Sequence, residues 1–231
     1  MLPVDRSWFE DHFYGAPQQV VDFFGGDGIS LSGARVADIG TGDGIIAFGL
    51  FEATGAAELV GFDLNPIDLD HLVGIVGKAP PPGLRYERSF ENRIPAPDAA
   101  FDFVVSWSAF EHVSEPATMF REIRRILTPT GIVMIQLYPF YFSEHGDHGW
   151  ERPGFEHLVT GRDQVPGDAY VNRITLDDLH LALRAGGLRI AKLELIHHPF
   201  HLPPELADVG PSKLSIGGVK LLAVPFEPAH L

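Results

Sequence analysis

The stretch Val36-Ala37-Asp38-Ile39-Gly40-Thr41-Gly42-Asp43-Gly44 joins a short apolar run to a segment of helical character over 43–51 that Gly55 closes. Glycines at a strand-to-helix junction allow a tight turn and let a ligand approach the backbone closely. The free N–H groups that open the following helix then face that ligand. A second apolar run, 58–63, ends in an acid nineteen residues after Gly44. In a doubly wound sheet this sets the Asp63 carboxylate beside the glycine turn, where it can accept two ribose hydroxyls. The third glycine comes one residue earlier than in a dinucleotide-binding turn. Asp38 and Asp43 would also repel a pyrophosphate, whereas they would not repel a sulfonium ligand carrying an ammonium group.

Outward from this turn, strands and helices alternate. Asn65 reads as an N-cap with Pro66 inside the next helix. Strands are expected at 84–87 and 101–106, then a helix over 115–127 ended by Pro129 and Gly131, then a strand at 132–135. Thr175 and Asp178 open a further helix in the manner of a capping box, Gly186-Gly187 stops it, and strands follow at 189–196 and 218–224. That order predicts an α/β, Rossmann-like, doubly wound and mostly parallel sheet with helices on both faces. The aromatic residues of 1–30 predict an N-terminal helical arm that packs on the domain or covers a pocket, with 31–231 as the main domain. Residues 138–174 far exceed the usual loop of roughly 4–6 residues. They are rich in Tyr, Phe, Trp and His, which reads as a lid-like insertion after the fifth strand.

Composition excludes more than it identifies. The chain has 231 residues, 45% hydrophobic and 21% charged, enough for a sizeable core. A formal net charge of −14 argues against a surface that tracks phosphates, so no nucleic-acid partner is expected. The absence of cysteine excludes disulfides, a thiol nucleophile and a thiolate metal site. No signal peptide is readable, and no apolar run approaches the roughly 20 residues of a membrane helix. A soluble, cytoplasmic protein without a membrane partner is expected, and a homo-oligomer is compatible with the sequence.

The sequence resembles the class I S-adenosylmethionine-dependent methyltransferases, in particular their small-molecule group. Val36–Gly44 resembles the cofactor loop, and Val60-Gly-Phe-Asp63 the strand end that holds the ribose. Ile94-Pro-Ala-Pro-Asp-Ala-Ala-Phe-Asp-Phe-Val-Val-Ser106 is similar to the block leading into strand four. Phe110-Glu-His-Val-Ser-Glu-Pro116 and Arg121-Glu-Ile-Arg-Arg-Ile-Leu-Thr-Pro-Thr-Gly131 match the next helix and turn. The resemblance spans about 34–137 and implies a seven-stranded sheet whose last strand is antiparallel. It implies S-adenosyl-L-methionine held by Asp38, Gly40, Thr41, Gly42, Asp63, Leu64 and Ser106, with 90–92 on the adenine. At that last place, either Phe90 stacks on the ring or Glu91 takes the polar role, with Asn92 beside it.

Methyl transfer to an oxygen or nitrogen of a small organic molecule is the reaction this implies. Such a site must orient a nucleophile, exclude water and provide for the acceptor's proton. His112 is a candidate base or a packing residue, and His145 and His148, in Glu144-His-Gly-Asp-His148, are candidates from the long loop. Alternatively, Glu111 and His112 with loop histidines hold a divalent metal. Some relatives with Glu-x-x-Glu-His here do so, but Ser108 replaces the first glutamate, so a metal is not favoured. A cofactor-binding, non-methylating enzyme of the same fold is a further alternative. Tyr138, Phe140, Tyr141, Phe142, Trp150 and Phe155 read as the roof of an acceptor pocket, a self-packed cap or an oligomer interface.

Overall fold

The computed structural model describes residues 5–151, 153–161 and 170–226. Expectations for 1–4 of the arm, for 152 and 162–169 of the insertion, and for 227–231 lie outside the described residues. Strand β1 (Arg35–Ile39) is buried from Val36 onward, as a central parallel strand must be when both its faces are covered. It pairs in parallel with β2 (Glu58–Asp63) on one side and with β4 (Phe101–Trp107) on the other. Strand β3 (Leu84–Arg88) lies parallel to β2. With β5 (Leu127–Leu137), β6 (Leu188–His197) and β7 (Ile216–Pro225), the sheet has seven strands in the order β3-β2-β1-β4-β5-β7-β6. The last strand runs antiparallel to β6. The seven-stranded α/β sheet expected from the sequence is therefore the one observed. Its strand order reverses between β1 and β4, and open sheets bind ligands outside the carboxyl ends of strands at such a switch point.

The chain divides into two compact units, 1–106 with 125–134, and 107–124 with 135–231. In the first, the Arg35 backbone N–H and guanidinium both donate to Asp102, at 3.0 and 2.8 Å, which pins the start of β1 to β4. Helix α1 (Arg6–Glu10), a π-helical turn (Asp11–Gly15) and α2 (Ala16–Gly25) make the N-terminal helices. Phe13, Val20, Phe23 and Phe24 are buried, and the Phe13 ring lies 5.8 Å from that of Phe48 on α3 (Ile45–Thr54). Each such burial contributes about 1.5–3 kcal/mol, so these helices are part of the core around α3.

Two local expectations are corrected. Asn65 does not cap a helix: α4 runs Leu69–Val76 and its N-cap is Asp68, which accepts from the His71 N–H at 3.0 Å. The Asn65 N–H donates instead to Asp63 Oδ1, so the carboxylate draws this segment out of the helix. Likewise α5 (Pro116–Ile126) is not followed by a turn at Pro129, because β5 begins at Leu127.

In the second unit the Phe110 and Phe120 rings stack at 4.5 Å. Helix α7 (Leu176–Ala185) has the expected capping box between Thr175 and Asp178. The long insertion contains α6 (Glu156–Thr160), and α8 (Pro211–Ser215) precedes β7. Among the described residues, no helix is long and apolar enough to cross a membrane.

Candidate functional site

The glycine turn of the first unit is built around Asp63. Gly40 and Thr41 donate their N–H groups to the Phe62 carbonyl at 2.8 and 3.1 Å, which lays the turn over the end of β2. The Gly42 N–H then donates to Asp63 Oδ2 at 2.9 Å, while Oδ1 takes the Asn65 N–H at 3.0 Å. Both oxygens keep lone pairs for a ligand. Gly42 and Gly44 adopt φ of 59° and 85°, the left-handed region that glycine enters without penalty. They differ in surroundings. A Cβ at Gly42 would meet nothing within 4 Å, whereas one at Gly44 would lie 2.8 Å from the Tyr86 ring. The Tyr86 hydroxyl donates to the Gly44 carbonyl at 2.9 Å and braces the turn from β3.

Asp38 is buried at the end of β1. Burial pushes its carboxyl up to about 7; the Thr41 side chain opposes this and the charge of Asp63 adds to it. Ser106 is buried as well, and its hydroxyl donates to the Ile39 carbonyl at 2.8 Å. Leu64 and Phe90 are exposed, Phe90 at 57%, and Glu91 and Asn92 are exposed beside it. Phe90 and Arg93 exchange backbone hydrogen bonds at 3.0 and 3.2 Å, a tight turn that presents residues 91 and 92.

In the second unit the structure brings Glu111, His112 and His148 together. One ligand atom from each lies within 4.8 Å of the others, and the two imidazoles stack at 5.2 Å. Glu111 is 1% exposed, and neither of its carboxylate oxygens has a partner among the described residues. Burial pushes this carboxyl up to about 8, against the opposing pull of its own backbone N–H. His112 Nδ1 lies 2.8 Å from the Tyr170 carbonyl, so it carries the proton and leaves Nε2 as an acceptor. His148 Nε2 is buried and unpartnered. Burial pushes His148 down, His112 adds to this, and Asp147 opposes it. Asn172 holds the Glu111 segment by donating to the Phe110 and Val113 carbonyls at 2.6 and 2.9 Å.

His145, expected with these residues, stands against Trp150 at 5.3 Å, in the wall of a cavity of about 340 Å³. Tyr138, Glu144, His198 and Gly217 line the same cavity. The aromatic residues of the insertion therefore divide. Tyr138 and Trp150 face the cavity, while Phe155 packs into a core with Leu206 and Leu214. Sequence reasoning missed Tyr86, Tyr170, Asn172 and His198, whose roles arise from residues distant in the chain. The one readable signal was Gly217-Gly218, a pair that marks a bulge when it falls inside a strand.

The methyltransferase-domain family model matches residues 9–193. The chain is 33% identical over 113 residues to a demethylmenaquinone methyltransferase of Deinococcus radiodurans, covering 49% of this chain and 46% of that protein. It is 34% identical over 109 residues to a ubiquinone biosynthesis O-methyltransferase of Paracidovorax citrulli, covering 46% and 45%. The chain thus matches a little under half the length of these curated relatives. An S-adenosylmethionine-dependent methyltransferase from Mesorhizobium loti superposes with a TM-score of 0.64 at 22% identity, over 90% of this chain and 97% of that one. The glycine turn, the strand order and the family match agree: the chain belongs to the methyltransferase-domain family and has the class I S-adenosylmethionine-dependent fold.

Proposed function

We propose that the protein transfers a methyl group from S-adenosylmethionine to an oxygen or nitrogen of a small organic molecule. The observation that carries this reading is the clamp of Asp63 on the Gly42 N–H, with open space where a Gly42 side chain would stand. When bound, S-adenosylmethionine supplies a methyl group on a sulfonium that leaves as a neutral thioether. Asp63 accepts the ribose hydroxyls, Gly40, Thr41 and Gly42 give the ligand close access to the backbone, and Asp38 meets its positive charge. Leu64, Phe90, Glu91 and Asn92 flank the adenine, and Ser106 braces the turn through the Ile39 carbonyl. In the second unit His112 Nε2 and His148 Nε2 are the free bases for the acceptor's proton, and His145 contacts the acceptor. Calorimetry with S-adenosylhomocysteine tests the reading, and no binding would overturn it. Binding without S-adenosylhomocysteine formation across a broad acceptor panel would favour a non-methylating enzyme of the same fold.

One observation favours a second reading of the acceptor side. Glu111, His112 and His148 bring a buried, unpartnered carboxyl group and two imidazole nitrogens within 4.8 Å of one another, and a positive charge at their centre would partner the ionised carboxylate and both rings together. One carboxylate and two imidazoles fit a divalent first-row cation, with the Tyr170 carbonyl fixing the His112 tautomer. Glu111, His112 and His148 would hold it, and it would supply Lewis acidity to an acceptor hydroxyl. Elemental analysis of the purified protein beside Glu111→Ala decides between the readings: one equivalent lost in the variant supports the metal, and none in either removes it.

A further inference from the structure

The cavity of about 340 Å³ in the second unit has a construction of its own. The Tyr138 and Trp150 rings lie nearly parallel, 23° apart, with centroids separated by 5.8 Å. His198 meets Tyr138 edge-on at 5.6 Å. These walls are flat, and flat walls favour a planar ring through stacked and edge-to-face contacts. The volume sits at the low end of the roughly 300–1,000 Å³ usual for ligand pockets, which suits one or two rings and not a large polycycle.

The polar lining sets the charge of the occupant. Glu144, His145 and His198 contribute one carboxylate and two imidazoles, and no lysine or arginine is among the described lining residues. An anion would lie against the Glu144 carboxylate with no lysine or arginine among the described lining residues to offset it, whereas a hydroxyl donor would find an acceptor.

A backbone device opens the space. In the β6–β7 ladder Ile196 stands opposite Gly218 and His197 opposite Ile216, so Gly217 is skipped and bulges out. A Cβ at Gly217 would lie 2.7 Å from the His198 ring. The Gly217 carbonyl is tied down by the Phe140 N–H at 2.7 Å, so the bulge is held in place. Bulges of this kind re-aim side chains next to functional sites. The loop that brings Glu144 and His145 to the cavity also carries His148 to Glu111 and His112, three residues further on.

We propose that this cavity binds the methyl acceptor and that the acceptor is a hydroxyarene of one or two rings, neutral when it binds. The identity of the occupant as acceptor rests on the methyltransferase reading; the cavity's preference for an uncharged hydroxyarene does not. Calorimetry with naphthol and naphthoate, on the full chain and on Gly217→Ala and Trp150→Ala, tests it. Naphthol is expected to bind the unaltered chain roughly tenfold more tightly than naphthoate, and roughly tenfold more tightly than it binds either variant. Affinity for S-adenosylhomocysteine should be the same in all three. If Gly217→Ala does not fold, Trp150→Ala carries the test, because Trp150 is 52% exposed and its removal leaves the core intact. No naphthol binding, equal affinity in the variants, or preference for naphthoate would overturn the proposal. Naphthol binding with S-adenosylhomocysteine refused would instead overturn the methyltransferase reading and leave the ring site standing.

Discussion

Asp63 Oδ2 accepts the Gly42 N–H at 2.9 Å, across twenty-one positions of sequence, and so joins the end of β2 to the glycine turn after β1. One carboxylate thereby shapes the turn and remains available to a ligand.

Replacing Asp63 by Ala removes both functions. Two backbone donors lose a charged acceptor, and each such bond contributes about 1.5–3 kcal/mol where it is shielded from water. Because Asp63 is only half-buried, water re-solvates the freed groups, and the variant is expected to fold with a modestly lower melting temperature. Its affinity for S-adenosylhomocysteine should fall about a hundredfold. Calorimetry beside thermal unfolding separates the two effects.

Gly42 and Gly44 make a paired test. Gly44→Ala forces a side chain to within 2.8 Å of Tyr86 at a φ of 85°, so stability should fall by about 2 kcal/mol or more. Gly42→Ala meets open space, and its backbone strain is about 1 kcal/mol. The added methyl then occupies the ligand's approach, so binding should drop more than stability. Equal losses in both measures for both variants would contradict the assignment of that space.

Asp38 predicts a pH dependence. Its carboxyl, raised to about 7 in the fold, binds a proton more tightly there than in the unfolded chain. Stability of the ligand-free protein should therefore fall as pH rises from about 4 to about 7, and level off above. A cationic ligand favours the ionised carboxylate. Affinity for S-adenosylmethionine should rise roughly tenfold between about pH 5.5 and 7, below the range near 7.7–8 where an α-amino group loses its proton. Asp38→Asn should flatten both profiles.

Glu111 predicts a conflict between stability and function. Two unpartnered oxygens at 1% exposure are costly. Glu111→Met keeps the volume and removes the polar atoms, so the melting temperature should rise, by an amount equivalent to about 1–3 kcal/mol. Turnover should fall at the same time, as expected where a costly group is kept for its chemistry. A lower melting temperature would show that the carboxylate has a stabilising partner.

Local chemistry was legible where a short stretch carries the whole signal. Asp38-Ile-Gly-Thr-Gly-Asp-Gly44, the apolar β1 and β2 runs and the Thr175–Asp178 capping box each act within a few residues, so the sequence alone determined the turn, the strands and the α/β order. The same locality misled at Asn65, whose N–H belongs to Asp63, and at Pro129, which lies inside a strand.

What only the tertiary structure decided depends on groups meeting from distant positions. The three loop and strand-end histidines look alike in the sequence. Folding sends His148 to Glu111 and His112, and His145 to Trp150. The Tyr170 carbonyl sets the proton on His112 from fifty-eight residues away, and Tyr86 braces Gly44 from forty-two. Periodicity and turn propensity are short-range properties of the chain, whereas desolvation and lone-pair convergence exist only once the chain has closed. The sequence thus decided what kind of fold this is, and the closed chain decided which acids and histidines share a site.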